Sequence, residues 1–463
     1  MKTSRVDTVI KNGKIVTPSN IFEAGIGIEN GKIVAIAKSS SLPKAEKTID
    51  AKGNFILPGA IDTHAHVYDP DYTYREDFVS GTTAAAAGGV TTVIDMPLRK
   101  PVLTKLIKEK IKIAEKDSLI DFSFHSGMIL EDDINEISEV VKLGVKSFKV
   151  FTCAPFKVED EALAQIMKSV LNYNGVVYVH AEMEHIVSQL TKKLKEEGRR
   201  DLLAYIESRP AVAEYEAVKK VITLAIQIGV KTHIAHLTTK QGVEFLEKAK
   251  TSGQKVTAET CPQYLLFTKK DIQKRGPYLK TTPPLRSKSD ALALWHGLKL
   301  GLVDTVATDH APGTKEEKEI GWENIWEAWA GVPGVETLLP IMISEGVNKG
   351  LISMQDLCRI LCEKPAKIFD LYPRKGALLL GSDADIDVVD LKREKVVKAD
   401  NLHYKVGWTP YEGICLRGYP VLTMVRGEVV MSLGEIIGRS GHGEFIPMLS
   451  RPIQGYEDSE NQL

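Results

Sequence analysis

Short apolar runs alternate with longer amphipathic stretches through the middle of this 463-residue chain. Eight runs are rich in β-branched residues and have the length of strands: residues 55–64, 91–96, 120–129, 145–151, 176–180, 231–236, 256–259 and 304–308. The stretches between them suit helices, for example residues 161–172, 213–228 and 241–252. This alternation predicts an α/β fold with a parallel sheet, and eight such units favour a closed (β/α)8 TIM barrel. The alternative is an open doubly wound sheet, but no GxGxxG motif follows an early strand.

Both ends of the chain show a different pattern, in which alternating apolar strands flank tight turns. Asn12-Gly13 and Asn30-Gly31 each separate two such runs near the N-terminus, and Arg426-Gly427 separates two near the C-terminus. Asn-Gly is typical of hairpin turns because both of its positions accept a positive φ. We therefore predict a small β-sandwich domain from residues 1–55 and 372–440. The barrel is predicted over residues 56–371 and a C-terminal tail over residues 441–463.

The composition excludes several classes of protein. Hydrophobic residues make up 43% of the chain and charged residues 26%, which suits a large core and a soluble surface. The formal net charge of −1 provides no basic surface for nucleic acid or for a membrane. No run approaches the ~20 apolar residues of a membrane helix, and the first residues lack a signal-peptide pattern. The five cysteines show no CxxC spacing. We therefore expect a cytoplasmic protein without a disulfide framework.

Residues that can bind metal lie at the ends of the predicted barrel strands. They are His64, His66, Lys149, His180, His236 and Asp309. His64 and His66 end the first strand, where side chains two residues apart point the same way. Lys149 lies in the fourth strand, and the others end or follow the fifth, sixth and eighth. Because the carboxyl ends of barrel strands meet at one mouth, the six side chains are predicted to converge.

The chemistry of these six side chains predicts a two-metal centre. Four histidines and one aspartate suit zinc, or manganese, cobalt or iron. A lysine ammonium is a poor ligand, but CO2 converts the amine into an anionic carbamate that can bridge two ions ~3.5–4 Å apart. Asp309 is then placed to act as the catalytic base that accepts a proton from the shared water. Other histidines, such as His125 and His233, are expected to be structural, and strand alternation places His233 on the face opposite His236.

Further motifs run nearly end to end along the chain. They lie at residues 57–66, 77–92, 144–149, 179–182, 208–210, 233–237, 259–262, 282–286, 308–312, 401–413 and 426–427. In these motifs the chain resembles the cyclic amidohydrolases of the amidohydrolase superfamily, which include dihydroorotases, allantoinases and hydantoinases or dihydropyrimidinases. The resemblance implies a carboxylated Lys149, a binuclear metal centre and hydrolytic opening of a small cyclic amide. It also implies a homo-oligomer, either a tetramer or a dimer.

Several positions distinguish the members of this group. Dihydroorotases usually place an arginine where this chain has Tyr68. Hydantoinases place a substrate-binding tyrosine shortly after the carboxylated lysine, whereas residues 151–155 contain none. Ala328-Trp-Ala-Gly331 resembles allantoinase, while residues 364–383 resemble hydantoinases. The resulting order is allantoinase, which converts allantoin to allantoate, then hydantoinase or dihydropyrimidinase, then dihydroorotase.

Five residues are candidates for binding the substrate: Tyr68, Arg99, Cys153, Thr282 and Gly331. Backbone groups near the last three are expected to bind the ureide edge, because barrel loops supply specificity. Tyr68 and Arg99 are candidates for specificity, although a packed aromatic ring and a solvated charge explain them equally well. A metal-free scaffold protein is the alternative from another class, and the six intact ligand positions argue against it.

Overall fold

The computed structural model describes residues 5–97 and 102–449. Its strands are β1 (Arg5–Val16), β2 (Ile21–Glu29), β3 (Lys32–Ala37), β4 (Lys44–Asp50), β5 (Phe55–Pro58), β6 (Ala60–Ala65), β7 (Val90–Asp95), β8 (Asp121–Phe124), β9 (Ser147–Phe151), β10 (Val176–His180), β11 (Lys231–Ile234), β12 (Val256–Thr260), β13 (Thr305–Val306), β14 (Ile386–Val396), β15 (Cys415–Val425), β16 (Glu428–Ser432) and β17 (Glu435–Ile436).

The α-helices of the same residues are α1 (Phe78–Ala87), α2 (Leu103–Asp117), α3 (Ile137–Lys142), α4 (Asp160–Leu171), α5 (Glu184–Glu196), α6 (Leu202–Ser208), α7 (Ala211–Ile228), α8 (Lys240–Thr251), α9 (Pro262–Leu266), α10 (Ile272–Arg275), α11 (Lys288–Leu300), α12 (Lys315–Glu319), α13 (Leu338–Ile341), α14 (Met354–Cys358) and α15 (Lys364–Ile368). The predicted helices at residues 161–172, 213–228 and 241–252 correspond to α4, α7 and α8. Across the described ranges, no helix is both long enough and apolar enough to cross a membrane.

Strands β6 to β13 form the predicted barrel. They pair in parallel as β6-β7-β8 and as β9 to β13 in sequence order. Residues just beyond the strands close both seams. Ser126 bridges to Phe148 between β8 and β9. At the other seam the amide of His66 donates to the carbonyl of His310 at 2.7 Å. The expectation of a (β/α)8 barrel is confirmed.

The apolar run at residues 55–64, predicted as one strand, is two strands in different sheets. β5 pairs with β1 and β14, whereas β6 pairs with β7 in the barrel. Gly59 lies between them, and its amide donates to the carbonyl of Asp385 at 2.9 Å. A Cβ at Gly59 would collide with the side chain of Thr91. The chain therefore changes sheets at a close approach that the apolar pattern does not encode.

Strands from both ends of the chain form one nine-stranded sheet in the order β17-β16-β15-β14-β5-β1-β2-β3, with β4 beside β1. The buried side chains of this sheet form a core of their own, which includes Ile10, Ile26, Ile56, Ile386 and Met424. The small β-domain made from both termini is thereby confirmed. The predicted C-terminal tail begins as a packed segment, because the amide of residue 446 donates to the carbonyl of residue 122 at 2.8 Å.

One of the predicted hairpin turns is wrong. Asn30-Gly31 does connect β2 to β3, with φ of 51° and 73°. Asn12-Gly13 instead lies inside β1, where the pairing with β2 shifts register between Ile10 and Gly13. Asn12 has a φ of 56°. The positive φ that suits a hairpin turn serves equally in a β-bulge, so the dipeptide alone does not distinguish the two.

Candidate metal centre

His64, His66 and Asp309 form one half of the predicted centre. The Nε2 atoms of the two histidines lie 3.3 and 3.4 Å from Oδ1 of Asp309. Asp309 follows β13 with a φ of 50°, a strained backbone conformation that occurs mainly at functional sites. Burial alone would raise the pKa of the Asp309 carboxyl, but its interactions with the adjacent His64 and His66 outweigh burial and lower it. Asp309 is therefore a carboxylate, able to bind a cation or accept a proton.

His180 and His236 form the other half. Nδ1 of His180 lies 3.0 Å from Nε2 of His236. Burial lowers the pKa of both imidazoles, so both rings are neutral near pH 7. Two nitrogens that bind one zinc ion at about 2.0–2.1 Å lie about 3 Å apart, so the observed distance suits a shared cation. His236 follows β11 with a φ of 33°, a second strained residue at the mouth of the barrel.

Lys149 lies in β9 between these halves. It is 1% exposed, and its Nζ has no hydrogen-bond partner among the described residues. The amine lies 4.5 Å from the ring centroid of Tyr178, whose hydroxyl is 3.0 Å from Nδ1 of His64. Burial lowers the pKa of Lys149 to about 8, and a charge on Lys149 lowers the pKa of His64, His180 and His236. A buried amine without a partner, in a pocket of neutral histidines, fits a carbamate that binds two ions.

Glu259 contacts two of the proposed metal ligands, and the sequence analysis did not single it out. It is fully buried at the end of β12, and its Oε1 lies 2.6 Å from Nδ1 of His64. A hydrogen bond from Nδ1 to this carboxylate leaves the other ring nitrogen free to bind metal. The same oxygen accepts a hydrogen bond from the amide of His236 at 3.3 Å. The sequence shows only an acidic residue after an apolar run, and nothing there pairs it with a histidine nearly 200 positions away.

Glu182 supports His180 in the same way. Its Oε2 lies 2.9 Å from Nε2 of His180 and forms an ion pair with Arg209. Burial alone would raise the pKa of Glu182, but the charge of Arg209 outweighs it and the pKa falls to about 2. Cys153 lies beside this pair, and burial raises the pKa of its thiol to about 12. The thiol therefore stays protonated, and Glu182 rather than Cys153 fixes the orientation of His180.

His233 lies inside the barrel, and its predicted position on the opposite face is wrong. Its Nε2 is 3.5 Å from Oε2 of Glu259, and its ring centroid is 4.8 Å from that of Tyr178. β11 ends at Ile234, and the chain leaves the extended conformation before His236. Strand alternation therefore does not relate the two histidines. The structural role expected for His233 stays a prediction, and its ring lies against Glu259 and Tyr178, which both contact His64 of the candidate centre.

The predicted substrate-binding residues have different surroundings. Tyr68 is buried with its ring centroid 6.4 Å from that of His66, and its hydroxyl has no hydrogen-bond partner in the described ranges. The Thr282 hydroxyl bonds to the hydroxyl of Tyr205. The Gly331 amide donates to the carbonyl of Lys280 at 3.1 Å, and the Gly331 carbonyl accepts from Nζ of Lys318 at 2.9 Å, so a ligand could use only the second lone pair of that carbonyl. Arg99 lies outside the described residues.

Exchanging Glu259 for glutamine tests its role in metal binding. We expect Glu259→Gln to weaken metal binding about 10–100-fold, because a neutral amide no longer raises the basicity of His64. Competition with a chromophoric chelator measures this. Glu336→Gln is the matched control, because Glu336 is also buried and lies 3.2 Å from a histidine, His403, outside the centre. Equal metal affinity in the two variants would show that Glu259 does not support the site.

Comparison with known proteins decides the family. The model of the amidohydrolase family matches residues 55–430. The chain belongs to the amidohydrolase family. An L-hydantoinase from Paenarthrobacter aurescens is 38% identical over 448 residues, which cover 95% of this chain and 98% of that relative. An allantoinase from Bacillus licheniformis is 33% identical over 456 residues, covering 95% and 99%. A dihydroorotase from Methanosarcina acetivorans is 35% identical over 453 residues, covering 95% of each.

Solved structures agree with this assignment. The structure of L-hydantoinase (dihydropyrimidinase) from Arthrobacter aurescens matches this amidohydrolase with a TM-score of 0.93 at 37% identity. The match covers 96% of this chain and 100% of that one. The protein is therefore an enzyme that hydrolyses carbon–nitrogen bonds of cyclic amides. Its relatives carry three different substrate names, so similarity alone does not name the ring that it opens.

Proposed function

We propose that this amidohydrolase holds two zinc ions between a carboxylated Lys149 and the other five residues, His64, His66, His180, His236 and Asp309. The buried amine of Lys149, which has no hydrogen-bond partner among the described residues, is the observation that carries the proposal. As a carbamate it would become an anion with two oxygen ligands, which suits its position among neutral imidazoles. Zinc is the first choice because four of the six proposed ligands are imidazoles. Imidazole suits zinc well and suits manganese, cobalt and iron less well.

In this proposal Asp309 handles the proton of the hydrolytic step. When bound, the two ions supply an acidic water and polarise the ring carbonyl. The Asp309 carboxylate, which faces His64 and His66, would accept the proton of the attacking water as the new carbon–oxygen bond forms. It then delivers the proton to the ring nitrogen as the carbon–nitrogen bond breaks. Glu259 and Glu182 keep His64 and His180 in the tautomers that direct their free nitrogens towards Asp309 and His236.

The ring that we propose is the five-membered cyclic ureide that hydantoins and allantoin share. Hydantoins with an apolar substituent at C5 are the first candidate, supported by the identity to an L-hydantoinase. Aromatic side chains also flank the centre. The ring of Phe151 stacks on His180 at 4.8 Å, and Tyr68 lies edge to face with Trp329 at 6.4 Å. These aromatic side chains suit the binding of a flat ring with an apolar substituent.

Allantoin is the second candidate, on a specific observation. Its C5 substituent is a polar ureido group, and the buried hydroxyl of Tyr68 has no partner among the residues described. A hydrogen bond to that group would satisfy the hydroxyl, and residues 328–331 resemble allantoinase as well. Dihydroorotate ranks third, because its carboxylate would face Tyr68 at the position where dihydroorotases usually have an arginine.

A substrate panel tests this proposal. Ring opening of 5-benzylhydantoin, allantoin, dihydrouracil and dihydroorotate is followed with the zinc-loaded enzyme. We expect the highest kcat/KM with the hydantoin, and a value for dihydroorotate at least about 100-fold lower. Tyr68→Phe is expected to reduce turnover of allantoin and to leave that of 5-benzylhydantoin unchanged. A preference for dihydroorotate would refute the assignment of the ring.

A further inference from the structure

Two lysines are buried side by side next to Thr282 and Gly331. Lys318 in α12 is 0% exposed and Lys280 is 6% exposed. The ion pairs of the described residues include neither lysine, so each is buried without a carboxylate partner. Burial lowers the pKa of both side chains, and burying a lysine without a carboxylate partner is far less favourable than burying an apolar side chain of the same length. A role limited to filling space would therefore be served better by methionine or leucine.

The side-chain nitrogens of both lysines donate to backbone carbonyls instead. Nζ of Lys318 donates to the carbonyls of Trp329 and Gly331, both at 2.9 Å, and of Lys280 at 3.1 Å. Nζ of Lys280 donates to the carbonyls of Ile325 at 2.7 Å and residue 328 at 2.5 Å. The segment 325–331 has neither helix nor strand. Its carbonyls lack the partners of regular structure, and the two lysines supply donors in their place.

The same two lysines also connect to both predicted substrate-binding positions on this side of the barrel. The carbonyl of Lys280 accepts the amide of Gly331 at 3.1 Å, which joins residues 280 and 331 directly. The ammonium of Lys280 lies 4.7 Å from the ring centroid of Tyr205, whose hydroxyl bonds to that of Thr282. The contacts of these two lysines therefore set the position of Thr282 relative to Gly331.

We propose that Lys280 and Lys318 are positioning residues that hold Thr282 and Gly331 at the separation required by the amide edge of the substrate ring. This inference rests on the proposed function, because it assigns the two positions to ring binding. Neither lysine contacts the metal ligands in the described residues. Their removal is therefore expected to weaken ring binding more than it slows the chemical step.

Lys318→Met tests this inference in the zinc-loaded enzyme, with Lys280→Met as the second variant should the first fold poorly. We expect KM to rise at least about tenfold while kcat stays within about threefold of the wild type. Lys250→Met is the control, because Lys250 also donates to a carbonyl, that of Gly301 at 3.0 Å, but pairs with Asp304 and lies at the opposite end of the barrel. A general loss of stability would affect this control as well and would not raise KM.

Hydrogen exchange provides a readout that does not depend on the substrate. We expect amides of residues 325–331 to exchange at least about tenfold faster in Lys318→Met, with those of β9 to β12 unchanged. Unchanged exchange in this segment, or an unchanged KM in both lysine variants, would overturn the inference. Failure of the wild-type enzyme to open any ring in the panel would instead refute the proposed function, and the exchange result would still test the positioning role.

Discussion

Lys149→Ala will lose both metal ions and reduce kcat/KM by at least about 10,000-fold, the scale seen when a residue essential to a catalytic unit is removed. Alanine has no amine to carboxylate, so the proposed bridge between the two histidine pairs cannot form. The remaining proposed ligands are His64, His66 and Asp309 on one side and His180 and His236 on the other. Elemental analysis and ring-opening kinetics on the same preparation measure the two losses together.

Two controls separate this effect from misfolding. Lys250→Ala removes a partly buried lysine at the opposite end of the barrel and is expected to retain metal and activity. Acetate or propionate added to Lys149→Ala supplies a small carboxylate that fits the space left by the side chain, and we expect it to restore part of the metal content. Full turnover by Lys149→Ala would disprove the bridging role of this residue.

Asp309→Asn will retain most of the metal but lower kcat about 100–10,000-fold, the usual contribution of a general acid–base residue. Asparagine has nearly the same shape, and its Oδ1 can still face His64 and His66. It cannot accept the proton of the attacking water. The separation of metal content from turnover therefore isolates the proton-transfer role, which Lys149→Ala does not.

Asp304→Asn is the control for that experiment. Asp304 precedes the same strand, β13, at its opposite end, and its carboxylate binds Lys250 at 2.6 Å. We expect this variant to lose stability without losing kcat. The proposed role of Asp309 would be untenable if Asp309→Asn turned over the substrate at more than about a tenth of the wild-type rate with its metal bound.

The sequence predicts the barrel and the convergence of the six residues because both follow from order along the chain. Strands that alternate with helices can pair in parallel only through crossovers, and the barrel then gathers all carboxyl ends at one mouth. A residue at the carboxyl end of a strand, such as His180, is therefore placed at the mouth of the barrel by its position in the sequence alone. The same rule places Lys149 near the histidines without any knowledge of their side-chain contacts.

The features that the sequence could not predict depend on contacts between distant segments. Glu259 reaches His64, and Arg209 reaches Glu182, through pairings that no local pattern records. The buried Lys280 and Lys318 are similar, because a lysine in an amphipathic stretch predicts a solvated charge, whereas these two donate to two and three backbone carbonyls. The sheet change at Gly59 depends on a close approach to Thr91.

Metal content is the most direct test of the central claim that Lys149 completes a two-metal centre. The wild-type enzyme is purified without chelators in bicarbonate-containing buffer, and the ratio of divalent metal to chain is measured by elemental analysis. We predict about two equivalents per chain, as expected for a binuclear hydrolase. A fully active enzyme that holds one equivalent or less would contradict the account.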